Sequence, residues 1–192
     1  MVFTDNPTHR ALRKRSSWAV TQAGMRSMRA HCAALADEFT NTFMQKLAIA
    51  TSNNRTCDFV SGLACKLPLA AVGEIMGLEP DDWKKILIWS NALVGEIEAK
   101  HKRPGESDGA AGYRSMYELR SYLEALINES REYGADRRGF IDRIVHGEVH
   151  GKTLTNQQMN GYLLHLIAAR NETTSNSISG GIAALIVPPE QR

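Results

Sequence analysis

Hydrophobic positions along this chain recur at three- and four-residue steps almost from end to end. Met25, Met28, Cys32, Leu35, Phe39, Phe43 and Leu47 form one such series, which stops at the loop signal Thr51-Ser52-Asn53-Asn54. Phe59 to Met76 is a second amphipathic stretch, in which Pro68 fits only near the start or at a kink, and Gly77 suits a helix end. Pro80-Asp81-Asp82 opens a third, with Trp83, Ile86, Leu87, Trp89 and Leu93 on its apolar side. Residues 101–112 read as a loop. Tyr113 to Glu132 then repeats the pattern through Met116, Leu119, Leu123, Leu126 and Ile127. A short helix is predicted over Phe140 to Val145, followed by a loop from His146 to Lys152. No alternating strand pattern and no internal repeat is present, so the fold class is all-α.

The longest predicted helix runs over 155–187. Thr155 with Gln158 three residues on makes a capping box, and Pro188-Pro189 stops the helix. At 1.5 Å per residue it is roughly 50 Å long. Met159, Tyr162, Leu163, Leu166 and Ile167 form one apolar face, and Ile178, Ile182, Leu185 and Ile186 another. Between them lies the polar run Arg170 to Ser177, which is costly to bury without a function to justify it.

Composition narrows the classes. A hydrophobic fraction of 43% with 23% charged residues is that of a globular chain, and a net charge of +2 gives no broad electrostatic footprint for nucleic acid. The one basic cluster, His9 to Arg15, follows Pro7, which suits a first helical turn. Cys32, Cys57 and Cys65 are odd in number and lack CxxC spacing, which argues against a disulfide framework and fits a reducing compartment. With no long apolar run and no signal-peptide pattern, the expectation is a cytoplasmic protein with no membrane segment.

Three places carry candidate chemistry. In the polar run, the Thr173 hydroxyl can bond the carbonyl of Ala169 and loosen the helix, and the adjacent Glu172 carboxylate can relay protons. Together these could bind and protonate a small oxygen species; a plain solvent-exposed polar face is the alternative. His9 and Arg13, four apart, share a helix face and could grip an anion, or simply be solvated. His146-Gly-Glu-Val-His150 has its Glu displaced from a helical zinc motif and glycines around it, so no metal site is expected there.

Taken together, these residues resemble a known family. Ala169-Arg170-Asn171-Glu172-Thr173-Thr174 is similar to the central-helix motif of the cytochrome P-450 haem-thiolate monooxygenases, Ala-Gly-x-Glu/Asp-Thr-Thr, with Arg170 where the family usually has Gly. Asn6-Pro7-Thr8-His9-Arg10-Ala11-Leu12-Arg13-Lys14 resembles the helix that holds the haem propionates in soluble bacterial members. Asp58-Phe59-Val60, Leu67-Pro68-Leu69, Ile75-Met76-Gly77 and Trp89-Ser90-Asn91 match in order between them.

The resemblance implies that residues 1–192 are a partial cytochrome P-450 domain, from the propionate-binding helix to the long oxygen-site helix. The family's Gly-rich Cys loop and its Glu-x-x-Arg are absent, so the expectation is a central segment of a larger enzyme, with no axial ligand among its cysteines. The implied cofactor is haem (iron protoporphyrin IX). Glu172 and Thr173 would be the oxygen-protonation pair, Ala169 would line the oxygen site, and His9 and Arg13 would bind the propionates. The implied reaction is hydroxylation of an apolar substrate such as a sterol, terpenoid or fatty acid, with O2 and a ferredoxin-type electron donor. The loop at 101–112 would join the helices of the substrate lid. Two alternatives stand beside this: a non-enzymatic truncated fragment without thiolate-ligated haem, and a nucleic-acid-binding helix at His9 to Arg15, against which the lack of a wider basic face counts. Isolated, such a segment is expected to expose apolar faces and to be poorly soluble.

Overall fold

The computed structural model describes residues 5–17, 21–95, 97–134, 139–149 and 151–186. They form α1 (Thr8–Ser16), α2 (Gln22–Ser52), α3 (Lys66–Met76), α4 (Trp83–Leu93), α5 (Asp108–Tyr133), α6 (Phe140–Val145) and α7 (Asn156–Ile186). A π-helical turn at Val60–Ala64 leads into α3, and 3-10 turns at Pro80–Asp82 and Ala99–His101 flank α4. The one departure from all-helical structure among the described residues is an antiparallel hairpin, β1 (Glu148–Val149) with β2 (Lys152–Thr153), inside the segment expected to be plain loop. Two-residue strands are too short to leave an alternation in the sequence.

Local chemistry sets most boundaries. Pro68 sits in the first turn of α3, where a missing N–H costs nothing. Gly77 closes α3 in the left-handed region at φ 70°, which lets the Leu78 N–H reach the Gly73 carbonyl at 2.8 Å. The Asp58 carboxylate accepts from the Val60 and Ser61 N–H groups and the Ser61 hydroxyl, which fixes the start of the π turn and holds its pKa below the ordinary carboxylate value. The expected loop over 101–112 is shorter than its glycines suggest. Ser107 caps α5 by accepting from the Ala110 N–H at 3.2 Å, so Gly109 and Gly112 lie inside the helix.

The core is built around the first half of α7. Met159, Tyr162, Leu163 and Ile167 are buried against Leu119, Leu123, Leu126 and Ile127 of α5, Ile86 of α4, Val72 and Met76 of α3, and Phe140, Ile141 and Ile144 of α6. Leu12 brings α1 into the same cluster. Two polar ties hold α4 to α5: Trp89 Nε1 donates to Glu118 Oε2 at 2.8 Å, and the Tyr122 hydroxyl donates to Asp82 Oδ2 at 2.8 Å. Asn160 Nδ2 donates to the Arg120 carbonyl at 2.8 Å and joins α7 to α5. Helix α2 packs on α3 and the π turn from outside this cluster, with Phe43 its only buried apolar side chain among the described residues.

The second half of α7 has no such cover. Ile178 is half-buried, while Ile182, Leu185 and Ile186 are 40%, 48% and 61% exposed. The expected second apolar face exists, but no described element packs over it. Pro188-Pro189 lie outside the described residues.

Candidate active site

The capping box predicted for α7 forms with both bonds. The Gln158 N–H donates to Thr155 Oγ1 at 3.2 Å, and the Thr155 N–H donates to Gln158 Oε1 at 2.9 Å. From there the helix runs unbroken through the polar run to Ile186. Thr173 Oγ1 donates to the Ala169 carbonyl at 3.0 Å, as the sequence suggested, yet the helix does not open there. Ser177 Oγ donates to the Thr173 carbonyl at 2.8 Å and Ser179 Oγ to the Ser175 carbonyl at 2.5 Å. Thr173, Ser177 and Ser179 thus satisfy their hydroxyls on carbonyls four residues back without breaking the helix.

At 100° per residue the run divides into two faces rather than one notch. Ala169 and Thr173 share an exposed face, continued by Asn176, Ser177 and Gly180. Asn171 and Ser175, each 3% exposed, lie on the opposite, buried face. There Ser175 Oγ meets Cys65 Sγ at 3.1 Å, at the junction of the π turn and α3. Among the described residues Asn171 Oδ1 has no hydrogen-bond partner, a burial that costs about 1–3 kcal/mol. Glu172 sits between the faces, half-buried. The side chain of Arg170 lies outside the described residues.

The other predicted pair is on α1. Leu12 points into the core, His9 one turn earlier is half-buried, and Arg13 is exposed. This helix packs on α6 and β1, and its Thr8 and Leu12 share a recess with Gln158, Gly161 and Tyr162 of α7. Thr173 lies roughly 16 Å farther along the α7 axis than Tyr162. His9 and Arg13 thus stand beside the start of α7, and Ala169, Glu172 and Thr173 lie three turns on. The fold aligns the two sets along one helix without bringing them into one cluster.

Whether these residues suit a haem can be judged from the open face of α7. Ala169 has only a methyl group there, and the Thr173 hydroxyl beside it is exposed, so a flat group could lie against the backbone at that point. Cys65 is committed to Ser175 on the far side of α7, and Cys32 and Cys57 are half-buried on α2 and just before the π turn. Among the described residues no cluster of His, Cys, Asp or Glu could hold a metal ion, and no helix is long and apolar enough to cross a membrane. His150 lies outside the described residues.

Sequence reasoning missed a strong electrostatic feature among the described residues. Arg114 of α5 donates from Nε to Glu106 Oε1 at 2.8 Å and from Nη2 to Glu106 Oε2 at 2.9 Å. It also bonds the His101 carbonyl at 3.0 Å and approaches Glu118 at 3.4 Å. The Arg114 hydrogen bonds pull the Glu106 pKa down to about 2, and Glu106 in turn raises that of Arg114. This fork pins the α4–α5 connection to α5. In the sequence only the spacing of Arg114 and Glu118 on one helix hinted at it.

Comparison with known proteins gives a consistent result. No family model matches the chain. It is 28% identical over 191 residues to a steroid C26-monooxygenase of Rhodococcus jostii, covering 100% of this chain and 37% of that protein. It is 29% identical over 196 residues to a methyl-branched lipid omega-hydroxylase of Mycobacterium tuberculosis, covering 100% of this chain and 42% of that protein. The chain thus spans about two fifths of the length of these curated relatives. Among solved structures, a Mycobacterium marinum cytochrome P-450 in complex with pseudoionone superposes with a TM-score of 0.83 at 25% identity, over 98% of this chain and 43% of that one. A Bacillus megaterium cytochrome P-450 in complex with testosterone gives 0.70 at 26%, over 95% and 45%. Sequence relatives and structural neighbours agree along essentially the whole chain, and its sequence and fold are those expected of a segment of a cytochrome P-450.

Proposed function

We propose that this chain supplies the oxygen-side face of a haem-dependent monooxygenase that hydroxylates an apolar substrate, a sterol, terpenoid or fatty acid, using O2 and electrons from a ferredoxin-type donor. The observation that carries the proposal is the Thr173 hydroxyl, held on the Ala169 carbonyl at 3.0 Å and exposed on the open face of α7 with Glu172 beside it. Haem, when bound, supplies the activation of O2. Turned from the Ala169 carbonyl, the Thr173 hydroxyl would donate its proton to a small molecule on that face, and the half-buried Glu172, once protonated from solvent, would pass a proton back to Thr173 Oγ1. Ala169 leaves room for that molecule. His9 and Arg13 hold the propionates, Arg13 by charge-assisted hydrogen bonds. The names of the relatives, a steroid monooxygenase and a lipid hydroxylase, support the apolar substrate class. The odd, unpaired cysteines favour a cytoplasmic setting.

In protein carrying an axial cysteine, Thr173→Ala is expected to raise peroxide release per electron consumed; unchanged coupling would remove Thr173 from the role. The second reading, a non-enzymatic chain without thiolate-ligated haem, is favoured for these 192 residues alone by the placement of Cys65 away from the Thr173 face. Expressed with haem, reduced and treated with CO, the chain is then expected to lack the absorption band of thiolate ligation.

A further inference from the structure

The burial of α7 changes character after Ile167. Up to that residue, Met159, Tyr162, Leu163 and Ile167 fix the rotation of the helix by apolar burial. Beyond it, the only buried side chains of α7 among the described residues are two polar ones, Asn171 and Ser175. Ile178 is half-buried, and Ile182, Leu185 and Ile186 are exposed, so apolar burial does not orient this part of the helix. A polar contact does.

That contact is made by Ser175, whose Oγ lies 3.1 Å from Cys65 Sγ. Local bonds deliver the thiol to it. The Asp58 carboxylate fixes the start of the π turn, and the Cys65 N–H donates to the Val60 carbonyl across it at 3.0 Å. Cys65 then immediately precedes Lys66, the first residue of α3. A π turn holds one more residue per hydrogen-bonded ring than an α turn, so Cys65 emerges at an angle that a plain extension of α3 would not give. On α7, Asn171 and Ser175 centre about 160° around the helix from Ala169 and Thr173. Holding the first pair inward therefore aims the second pair outward.

We propose that Cys65 and Ser175 are positioning residues, whose contact holds the back of α7 against the π turn and so turns Thr173 and Ala169 to the open side. The consequence for catalysis rests on the oxygen-site reading of Thr173; the orientation itself does not. The test uses the full 192-residue chain with isotope-labelled methyl groups and a soluble gadolinium chelate, which relaxes methyl groups according to their exposure. In the wild type, the Ala169 and Thr173 methyls should be strongly relaxed and that of Ile167 shielded. Cys65→Ala and Ser175→Ala each remove the key, and a helix sharing its time between two orientations loses about half of the Thr173 effect. The double alanine variant should lose no more than either single one, because both remove the same contact. Cys65→Ser returns a partner to Ser175 and should keep the wild-type effect even where it lowers stability, which a merely structural role would not produce. Asn176→Ala, exposed on the same helix, should keep it too. A shielded Thr173 methyl in the wild type, a readout that needs no variant to fold, would overturn the proposal. So would a full Thr173 effect in either folded alanine variant, additive losses in the double variant, or loss of the effect in Cys65→Ser. In protein carrying an axial cysteine, the alanine variants should also raise peroxide release per electron consumed. If they turn Thr173 without changing that release, the positioning stands and the oxygen-site role of Thr173 fails.

Discussion

Gly73→Ala puts a methyl carbon into the ring of Trp83, well inside contact distance of Nε1 and 2.8 Å from Cε2. Two effects of opposite sign compete. Gly73 is interior to α3, so alanine would favour the helix by about 0.8–1 kcal/mol if nothing stood in the way. Against that, the indole must move, and it is held by its hydrogen bond to the Leu78 carbonyl and by the buried surroundings of α3. Overpacking of a fitted site costs about 1–3 kcal/mol, and losing the indole bond about 0.5–1.5 kcal/mol more. The net expectation is a loss of about 1–3 kcal/mol. Gly180→Ala is the matched control, in α7 with nothing within 4 Å of its added carbon, and should gain about 0.5–1 kcal/mol. Urea denaturation followed by circular dichroism and by tryptophan emission measures both. If Gly73→Ala matches or exceeds the wild type in stability with unchanged emission, the close approach of Trp83 to α3 is wrong.

The remaining predictions address other parts of the fold. Leu163→Ala, in the buried half of α7, should cost about 2–5 kcal/mol, whereas Ile186→Ala, 61% exposed, should stay within about 0.5 kcal/mol; equal costs would refute the division of α7 into a packed and an uncovered half. Thr155→Ala removes the acceptor of the Gln158 N–H and should cost about 1 kcal/mol in the same denaturation assay. Glu106 ionises with a pKa near 2 when folded, below its ordinary 4.5, so its stabilising contribution is complete above pH 4.5 and is lost as the pH falls toward 2. Stability measured against pH should therefore fall less steeply across that window in Glu106→Gln than in the wild type; identical slopes would remove the Arg114 fork as an acid-sensitive tie.

Much of this protein was legible before any coordinates. Helix boundaries followed from groups that act within one turn: Pro68 in a first turn, Gly77 in the left-handed region, Thr155 with Gln158, and the three- and four-residue apolar spacing of α5 and α7. Boundaries failed where the deciding contact was a single local side chain outweighed by composition, as when Ser107 starts α5 ahead of two glycines. The hairpin at 148–153 was invisible because two residues per strand carry no periodicity. The Ala169–Thr173 bond was predictable because donor and acceptor are four residues apart on one helix.

What the sequence alone determined, then, was the set of helices and the residue types of the candidate site, since both depend on spacing within a few residues. Tertiary structure decided which face of each helix is covered. It split the polar run of α7 into Asn171 and Ser175, buried against the turn bearing Cys65, and Ala169 and Thr173, left open. It also joined Arg114 to Glu106. Those arrangements depend on how helices distant in the chain cross one another, and no local pattern records that.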